Sequence, residues 1–330
     1  MGANAQGKSA FLEAVYLMAT LRSFRGASGS QMVQHGAKGY FVGGEISAAS
    51  TREIKIFWSS RERRVQLDDQ PIRRLADLYE FARMVVFSNE DLQLTSGAPR
   101  VRRRFIDLIL AQSEIDYLPT LQGYARAIRS RNALLRNESS DIRTLDGFTK
   151  EAIKHGEAMM RQRAGLIPQL EKHARSAYAR IAPDKETLSI EYQPNVKSDF
   201  TRELAQSHPR ERALGSTVIG PHRDDLRLRL DDRPVANFAS EGQKRSVAIA
   251  LRMAQTELLT ERFGQTPILL IDDVLGELDA SRRAGFLPLL ERPETKRSQA
   301  FITCTETSWP KEISADWGRW RVCEGVIEEA

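Results

Sequence analysis

The stretch Gly2–Ser9 reads GANAQGKS and fits the phosphate-binding pattern G-x-x-x-x-G-K-[ST]. Loops of this type turn backbone N–H groups toward a nucleotide phosphate, while the lysine, here Lys8, contacts the same phosphates and the hydroxyl of Ser9 coordinates Mg²⁺. Residues 8–21 then read as a helix that is apolar on almost every side, as expected for a helix buried beneath a sheet. Because so short a pattern also arises by chance, it needs support from the rest of the chain.

The composition narrows the class of protein. The chain has 330 residues, of which 41% are hydrophobic and 28% charged, as in globular proteins. No apolar run approaches the roughly 18 residues of a membrane span, and the N-terminus lacks the features of a signal peptide. Its two cysteines are too few for a disulfide framework or a zinc site. We therefore expect a cytoplasmic protein with no membrane partner.

The order of predicted elements indicates an α/β domain interrupted by helices. A hairpin is predicted over Ser50–Asp69, followed by a buried strand that ends at Ser88. From Pro99 to Ala182, apolar residues recur at three-to-four spacing, which is typical of amphipathic helices. Strands return with LSIEYQ, the hairpin DLRLRLDDRPVANF, TPILLIDD and SQAFITC, and a helix is predicted from Gly242 to Arg262.

A second motif, PILLIDDVLGELD, places two aspartates after a buried strand. A carboxylate at the C-terminal end of a strand suits a site for Mg²⁺ and a nucleotide. Asp272 would hold the metal, and Asp273 would polarise the attacking water as general base. The alternative is a strand that ends in a solvated turn, but the phosphate-binding pattern in the same chain favours the nucleotide site.

A third motif, NFASEGQKRSVAIALR, opens a predicted helix. Ser240 is a candidate N-cap, and Gly242 leaves the backbone accessible. The motif resembles the ABC signature, in which Ser and Gly at a helix N-terminus bind the γ-phosphate held by the other subunit; the alternative is an ordinary capped helix. Ser9 and Ser240 lie 231 positions apart, too far for a transporter-type ABC domain and too close for a long SMC coiled coil.

Several blocks, in order along the chain, resemble the RecF family of ABC/SMC-like ATPases. The blocks are GKSAFLEAVYLMATLRSFRG, FSNEDLQLTSGAPRVRRRFID, RSRNALLR, TVIGPHRDDL, SEGQKRSVAIALR and LLIDDVLGELD. The resemblance implies an ABC-type P-loop NTPase head (lobe I), formed by residues 1–98 and 206–330, interrupted by a mainly helical insertion (lobe II) of residues 99–205.

The same resemblance implies the activity and the partners. RecF-like proteins bind ATP and Mg²⁺, form an ATP-dependent homodimer, and act as slow DNA-stimulated ATPases. They bind DNA at gaps, at junctions between double- and single-stranded regions, and help to load RecA together with RecO and RecR.

Carried residue by residue onto this chain, the family's motifs define the expected site. Nucleotide contacts fall on Gly2, Ala3, Asn4, Ala5, Gln6, Gly7, Lys8 and Ser9, on Asp279 and Thr303, and in trans on Ser240, Gly242 and Gln243. Lys8 and Asp273 take the catalytic roles, and Ser9 and Asp272 hold Mg²⁺.

The net charge of the chain is +5, and the distribution of this charge suggests a region that binds DNA. Between Ser96 and Ala205 the chain has 19 Lys and Arg against 14 Asp and Glu, which indicates either a polyanion surface or an ordinary solvated helical face. Because few aromatic residues are interspersed, duplex backbone contact is favoured over base stacking. The candidate phosphate contacts are Arg22, Arg25, Arg102, Arg103, Arg129 and Arg136.

Three departures from the family pattern support a second hypothesis. Ala5 replaces the usual loop glycine, at a cost of roughly 1 kcal/mol if the position requires positive φ. Asn89 stands where the family usually has proline, and the family's opening strands precede the phosphate loop and are not in this sequence. We expect a longer natural chain, and the alternative is a non-enzymatic DNA-binding scaffold with a degenerate nucleotide site.

The block GPHRDDL permits two interpretations. His222, Asp224 and Asp225 form either a metal-ligand set or a hydrogen-bonded turn that leads into the following hairpin, with Arg223 paired to an acid. The absence of a second His/Cys cluster in the sequence favours the turn.

Overall fold

The computed structural model describes the whole chain except residues 48–49, 73–75, 80–81, 138–141, 183–185, 291–298, 306–308, 310–316 and 330. The helices are α1 (Lys8–Thr20), α2 (Ala76–Tyr79), α3 (Gln93–Ser96), α4 (Pro99–Ser113), α5 (Tyr117–Leu135), α6 (Ile142–Ile181), α7 (Phe200–Leu214), α8 (Val235–Phe238), α9 (Glu241–Phe263) and α10 (Ala280–Phe286). The strands are β1 (Gly39–Ser47), β2 (Thr51–Ser59), β3 (Arg63–Leu67), β4 (Gln70–Pro71), β5 (Met84–Ser88), β6 (Leu188–Gln193), β7 (Asp225–Leu230), β8 (Arg233–Pro234), β9 (Ile268–Asp272), β10 (Ala300–Thr303), β11 (Trp320–Cys323) and β12 (Val326–Glu329).

The chain divides into two compact units. The first unit contains residues 1–91, 177–185 and 248–330, and the second contains residues 92–176 and 186–247. The predicted insertion, residues 99–205, began close to the observed boundary but ended earlier than the second unit does. The reason is that β6 pairs antiparallel with β7, and β7 with β8, so these three strands form a sheet of their own in the second unit.

The first unit is built on a parallel sheet in the order β10-β9-β5. The predicted strands ARMVVFS, TPILLIDD and SQAFITC are confirmed as β5, β9 and β10. All of β5 is buried, as is most of β9, because a parallel sheet is covered on both faces. Helix α1 lies against this sheet with Leu12, Tyr16, Leu17 and Ala19 buried, as its apolar sequence predicts.

An antiparallel sheet in the order β1-β2-β3-β4 completes the first unit, together with the hairpin β11–β12. The predicted hairpin over Ser50–Asp69 is confirmed as β2 and β3. Strand β1 and the β11–β12 hairpin were not predicted, because β1 contains three glycines and the hairpin is exposed along most of its length, so neither shows a clear apolar alternation.

The second unit contains the helices α4 and α5 and residues 142–176 of the long helix α6, as the three-to-four spacing predicts. Helix α7 was missed, although its start carries a recognisable signal: the carboxylate of Asp199 accepts a hydrogen bond from the N–H of Arg202 at 2.6 Å. In β7, Leu226, Leu228 and Leu230 are buried on one face, as predicted for this hairpin. In the part of the chain that is described, no helix is both long and apolar enough to cross a bilayer.

A buried arginine organises the second unit. Arg163 is the largest fully buried side chain, at 1% exposure. Its guanidinium bonds Asp107 on α4 at 2.8 Å and Asp224 at 2.8 Å. Asp224 also accepts from the hydroxyl of Tyr192, and from the backbone N–H of Asn195 at 2.8 Å. Together these bonds fix the loop before β7 to α4 and α6. Removing one partner would leave a buried charge uncompensated.

The same loop resolves the two interpretations of GPHRDDL in favour of the turn. Asp224 pairs with Arg163 and Asp225 with Arg102, rather than either with Arg223. The hydroxyl of Tyr124 lies 2.6 Å from Nδ1 of His222, whose Nε2 lies 3.1 Å from the carbonyl of Thr217. Since a carbonyl only accepts, Nε2 carries the proton and Nδ1 accepts from Tyr124. Among the described residues, no group of three or more His, Cys, Asp and Glu is placed to hold a metal.

We predict that His222 makes the stability of the protein sensitive to acid. Burial lowers the pKa of His222, and the charges of Arg223 and Arg103 lower it further, against the opposing effects of the Thr217 carbonyl and Asp224. Because the folded pKa lies below the unfolded one, the unfolded state takes up the proton first, and stability falls as pH drops through about 6.5. For one proton, the loss at pH 5.5 is at most about 1.4 kcal/mol.

The measurement is urea unfolding at pH 7.5 and 5.5, for the wild type and for His222→Gln, which cannot titrate. The variant's own pH dependence accounts for all other groups. We expect the wild type to lose more stability than the variant between these pH values, and an equal loss in both proteins would contradict the prediction.

Candidate nucleotide-binding site

The carboxyl edge of the parallel sheet brings together the ends of three strands. In the strand registers, Asp272 at the end of β9 lies opposite Ser88 of β5 on one side and Thr303 of β10 on the other. Carboxyl edges of such sheets are where α/β proteins bind ligands. Helix α1, which carries the phosphate-binding pattern at its start, packs against the same strands.

The phosphate loop has the backbone conformation of an anion-binding loop. Gly2, Ala5 and Gly7 have φ of 153°, 64° and 104°, respectively. Gly7 is the N-cap of α1, and no side chain caps the helix there, so the first N–H groups of α1 remain available to an anion. Ala5 thus adopts the left-handed conformation in which this position of the loop usually has glycine. The cost is roughly 1 kcal/mol relative to glycine.

The side chain of Lys8 folds back onto the phosphate loop. Its side chain is buried, and the ammonium donates to the carbonyls of Gly2 at 2.7 Å and Ala3 at 2.8 Å. These two bonds hold the cation beneath the open helix N-terminus. The positive charge and the helix dipole therefore act at the same place, which favours a phosphate group.

Ser9, Asp272 and Thr303 form one hydrogen-bonded cluster. The hydroxyls of Ser9 and Thr303 donate to the same carboxylate oxygen, Oδ1 of Asp272, at 2.8 and 2.7 Å. A hydroxyl and a carboxylate are oxygen donors of the kind that Mg²⁺ prefers. Thr303, which the resemblance implies as a nucleotide contact, bonds the predicted metal ligand directly.

Asp273 follows in a left-handed conformation, with φ of 57°, and its N–H donates to the carbonyl of Thr303 at 3.2 Å. Partial burial raises the pKa of its carboxyl, and the charges of Asp272 and Glu277 act in the same direction, while Lys8 opposes them. A raised pKa makes the carboxylate a better proton acceptor, which suits the general-base role expected for it.

The end of β5 is held by contacts that the sequence did not reveal. The carboxylate of Asp91 accepts from the N–H of Ser88 at 2.9 Å and pairs with Arg252 of α9 at 2.6 Å. The amide of Asn89 donates to Glu277 at 2.7 Å, a bond that the family's proline could not make. In the sequence, only the FSNED block marks this region. Arg252 and Glu277, which bind Asp91 and Asn89, lie more than 160 positions further along the chain.

The signature motif opens α9 with a reciprocal cap. The N–H of Gln243 donates to the hydroxyl of Ser240 at 3.2 Å, and the N–H of Ser240 donates to the side chain of Gln243 at 2.6 Å. The amide of Gln243 also donates to Glu186 at 2.6 Å. Ser240 is exposed, and Gly242 is partly exposed. These residues belong to the second unit, whereas the phosphate loop belongs to the first.

Asp279 acts as a helix cap in this structure. Its carboxylate accepts from the N–H of Arg282 at 2.8 Å, at the start of α10, and this bond, together with the charge of Arg282, lowers its pKa. Its expected contact with the nucleotide stays a prediction.

The candidate DNA contacts fall into two groups. Arg102 forms a bidentate pair with Asp225 at 2.8 and 2.9 Å, and Arg103 donates to the carbonyl of Asp224 at 2.6 Å. These bonds leave Arg102 committed within the protein, which disfavours a contact with phosphate. Arg22 and Arg25 are exposed after α1, and Arg129 and Arg136 are exposed on and just after α5.

A phosphate loop, an acidic residue at the neighbouring strand end and a capped signature helix define the class of ABC-type P-loop heads. A family model described as the RecF/RecN/SMC N-terminal domain matches residues 1–318. The DNA replication and repair protein RecF of Lactococcus lactis subsp. cremoris (strain MG1363) is 35% identical over 332 residues, which cover all of this chain and 91% of that protein. The chain belongs to the RecF family.

Solved structures agree with this assignment. The structure of the recombination mediator protein RecF with ATP, in the RecFOR pathway, matches with a TM-score of 0.89 and 26% identity, over all of this chain and 90% of that one. The Smc head domain of Pyrococcus furiosus, solved with an extended coiled coil, matches with a TM-score of 0.50 and 14% identity over 93% of this chain, which shows similarity of fold alone. The α/β fold of an ABC ATPase head is thereby confirmed.

We predict that Thr303→Val weakens the Asp272 cluster. The substitution keeps the side-chain volume and removes one of the two hydroxyls that donate to Oδ1, and a hydrogen bond to a charged group is worth on the order of 1–2 kcal/mol at a partly buried site. Chemical unfolding should show a loss of this size. Thr303→Ser, which keeps the hydroxyl, should recover most of it, and equal stability of the valine and serine variants would count against the cluster.

Proposed function

We propose that this chain is an ATP-dependent DNA-binding protein of DNA repair and replication, which dimerises around ATP and hydrolyses it slowly. The observation that supports this most strongly is the geometry at the sheet edge. Ser9, Asp272 and Thr303 form one hydrogen-bonded cluster, and Lys8 is held by loop carbonyls at the start of α1, which no side chain caps; these groups suit a triphosphate with Mg²⁺.

Four residues of the site have separate roles in ATP binding and hydrolysis. Lys8 exchanges its two loop carbonyls for phosphate oxygens, so its charge is already in place before the nucleotide arrives. Ser9 and Asp272 hold Mg²⁺, and the metal supplies charge neutralisation on the phosphate oxygens. Asp273 accepts a proton from the attacking water.

The exposed position of the signature supports the proposed homodimer. Ser240 and the start of α9 face solvent, where a γ-phosphate bound by the other copy can reach them. ADP lacks the γ-phosphate that joins the two copies, so hydrolysis releases the dimer. The nucleotide thereby acts as a switch.

We predict that two substitutions separate ATP binding from dimer formation. Lys8→Ala removes the phosphate-binding cation and should weaken ATP binding at least tenfold, so no dimer forms. Ser240→Arg should leave ATP binding close to that of the wild type and abolish the dimer, because a bulky side chain occupies the position of the γ-phosphate. Sedimentation with Mg²⁺ measures both effects, at an ATP concentration that saturates only the wild type for Lys8→Ala and at fully saturating ATP for Ser240→Arg.

Gln122→Arg serves as the control, since it adds the same side chain at an exposed position of α5. It should dimerise like the wild type. Wild-type levels of dimer in Ser240→Arg would contradict the role of the signature in trans, and a wild type that stays monomeric would contradict the ATP-dependent dimer itself.

DNA binding is proposed through exposed arginines, with a preference for junctions between double- and single-stranded DNA at gaps. Arg129 and Arg136 lie seven positions apart, so they share a helical face and can follow a phosphate backbone. Arg22 and Arg25 add exposed positive charge in the other unit. With RecO and RecR, the protein would help to load RecA; the relatives' names and the RecFOR pathway support this partnership.

We predict that the double variant Arg129→Ala/Arg136→Ala lowers the salt dependence of DNA binding. Each arginine that contacts a phosphate contributes about 0.9 to the slope of log K against log salt, so the slope should fall by about 2. Titration of a gapped duplex at several salt concentrations measures it. Arg161→Ala, an exposed arginine on α6, should leave the slope unchanged. An unaltered slope in the double variant would exclude these two residues.

The alternative is a DNA-binding scaffold with a degenerate nucleotide site, and Ala5 is the observation that favours it. The ordered contacts of Lys8, Ser9 and Asp272 support the ATP-binding hypothesis instead. Failure of the wild type to bind ATP, with normal binding of DNA, would reverse this preference.

A further inference from the structure

The turn of the β11–β12 hairpin bonds directly to the phosphate loop. Glu324 and Gly325 form this turn with φ of 49° and 82°, the conformation of a tight two-residue hairpin. The N–H of Glu324 donates to the side-chain oxygen of Gln6 at 2.7 Å, and the N–H of Gly325 donates to the carbonyl of Gln6 at 3.0 Å. One loop residue therefore accepts both N–H groups of the turn.

The hairpin also packs closely against the loop at two glycines, and at Gly2 it leaves no room for a side chain. A Cβ at Gly2 would lie 2.4 Å from the carbonyl oxygen of Val322, and a Cβ at Gly7 would lie 3.4 Å from Cα of Gly325. Close backbone packing on both sides of Gln6 leaves the loop little freedom. The hairpin thus requires glycine at Gly2, whereas at Gly7 a Cβ would only touch the turn and the φ of 104° is what favours glycine.

Ala5, next to Gln6, is the strained residue of the loop. Its φ of 64° is unfavourable for any residue with a Cβ, and its side chain is exposed, so packing of that side chain does not compensate. Strained conformations persist when their neighbours are fixed. Here Gln6 is fixed by the turn, and Lys8 fixes the other side through the carbonyls of Gly2 and Ala3.

We propose that the Glu324–Gly325 turn holds the phosphate loop in its anion-binding conformation through Gln6, which makes Gln6 a positioning residue for the triphosphate. The inference rests on the proposed ATP binding. A ligand that binds only one conformation of a loop has its affinity reduced by the fraction of molecules in other conformations. The turn keeps that fraction small despite the strain at Ala5.

The test uses Gln6→Met, which keeps the length and bulk of the side chain and removes the oxygen that Glu324 bonds. Titration with ATP and Mg²⁺ should show binding about three- to tenfold weaker than in the wild type, which is the effect of one lost hydrogen bond. In the Ala5→Gly background, Gln6→Met should weaken ATP binding less than about twofold, since glycine adopts positive φ without strain. Gln122→Met, at an exposed position of α5, should change nothing.

Amide hydrogen exchange supplies a second measurement that does not depend on ATP. The N–H of Glu324 should exchange faster in Gln6→Met, while the unfolding midpoint stays near that of the wild type. Unchanged ATP affinity, or an equal penalty in the wild-type and Ala5→Gly backgrounds, would overturn the role of the turn and leave the proposed function intact. A wild type that binds ATP no better than Lys8→Ala would overturn the proposed function and the role of the turn together.

Discussion

Oxygen Oδ1 of Asp272 joins the elements of the candidate site. It accepts one hydroxyl from Ser9 at the start of α1 and another from Thr303 at the end of β10. The helix that follows the phosphate loop and two neighbouring strands of the parallel sheet are thereby fixed to a common point. The two hydroxyls satisfy a carboxylate oxygen that is partly buried. A Mg²⁺ ion would meet oxygens that are already assembled.

The phosphate loop is restrained from several directions at once. Lys8 binds its first carbonyls, α1 continues from its last residues, and the β11–β12 turn bonds Gln6 between them. Restraint of this kind explains how Ala5 tolerates a conformation that usually requires glycine. The departure from the usual pattern that raised the hypothesis of a degenerate site is compatible with an ordered one.

Buried ion pairs organise the second unit, and its basic composition does not reveal them. Arg163 and Arg131 are buried and pair with Asp224 and Glu211, respectively, while Arg129 on the same helix as Arg131 faces solvent. The positive excess of this region therefore overstates the charge available to DNA. Among the described residues, only the arginines and lysines that reach solvent can contribute to a salt-dependent interaction with phosphate.

The sequence by itself determined the α/β class, the positions of β5, β9 and β10, the long helices and the motifs around Lys8 and Asp272, because apolar periodicity and short motifs are local properties. The tertiary structure decided which unit the later strands joined, that Arg102 pairs with Asp225, and that a hairpin near the C-terminus holds Gln6. The two pairings join partners more than 100 positions apart. No local pattern encodes such a pairing, since it is set by which backbone and charged groups are left to be satisfied once the elements pack.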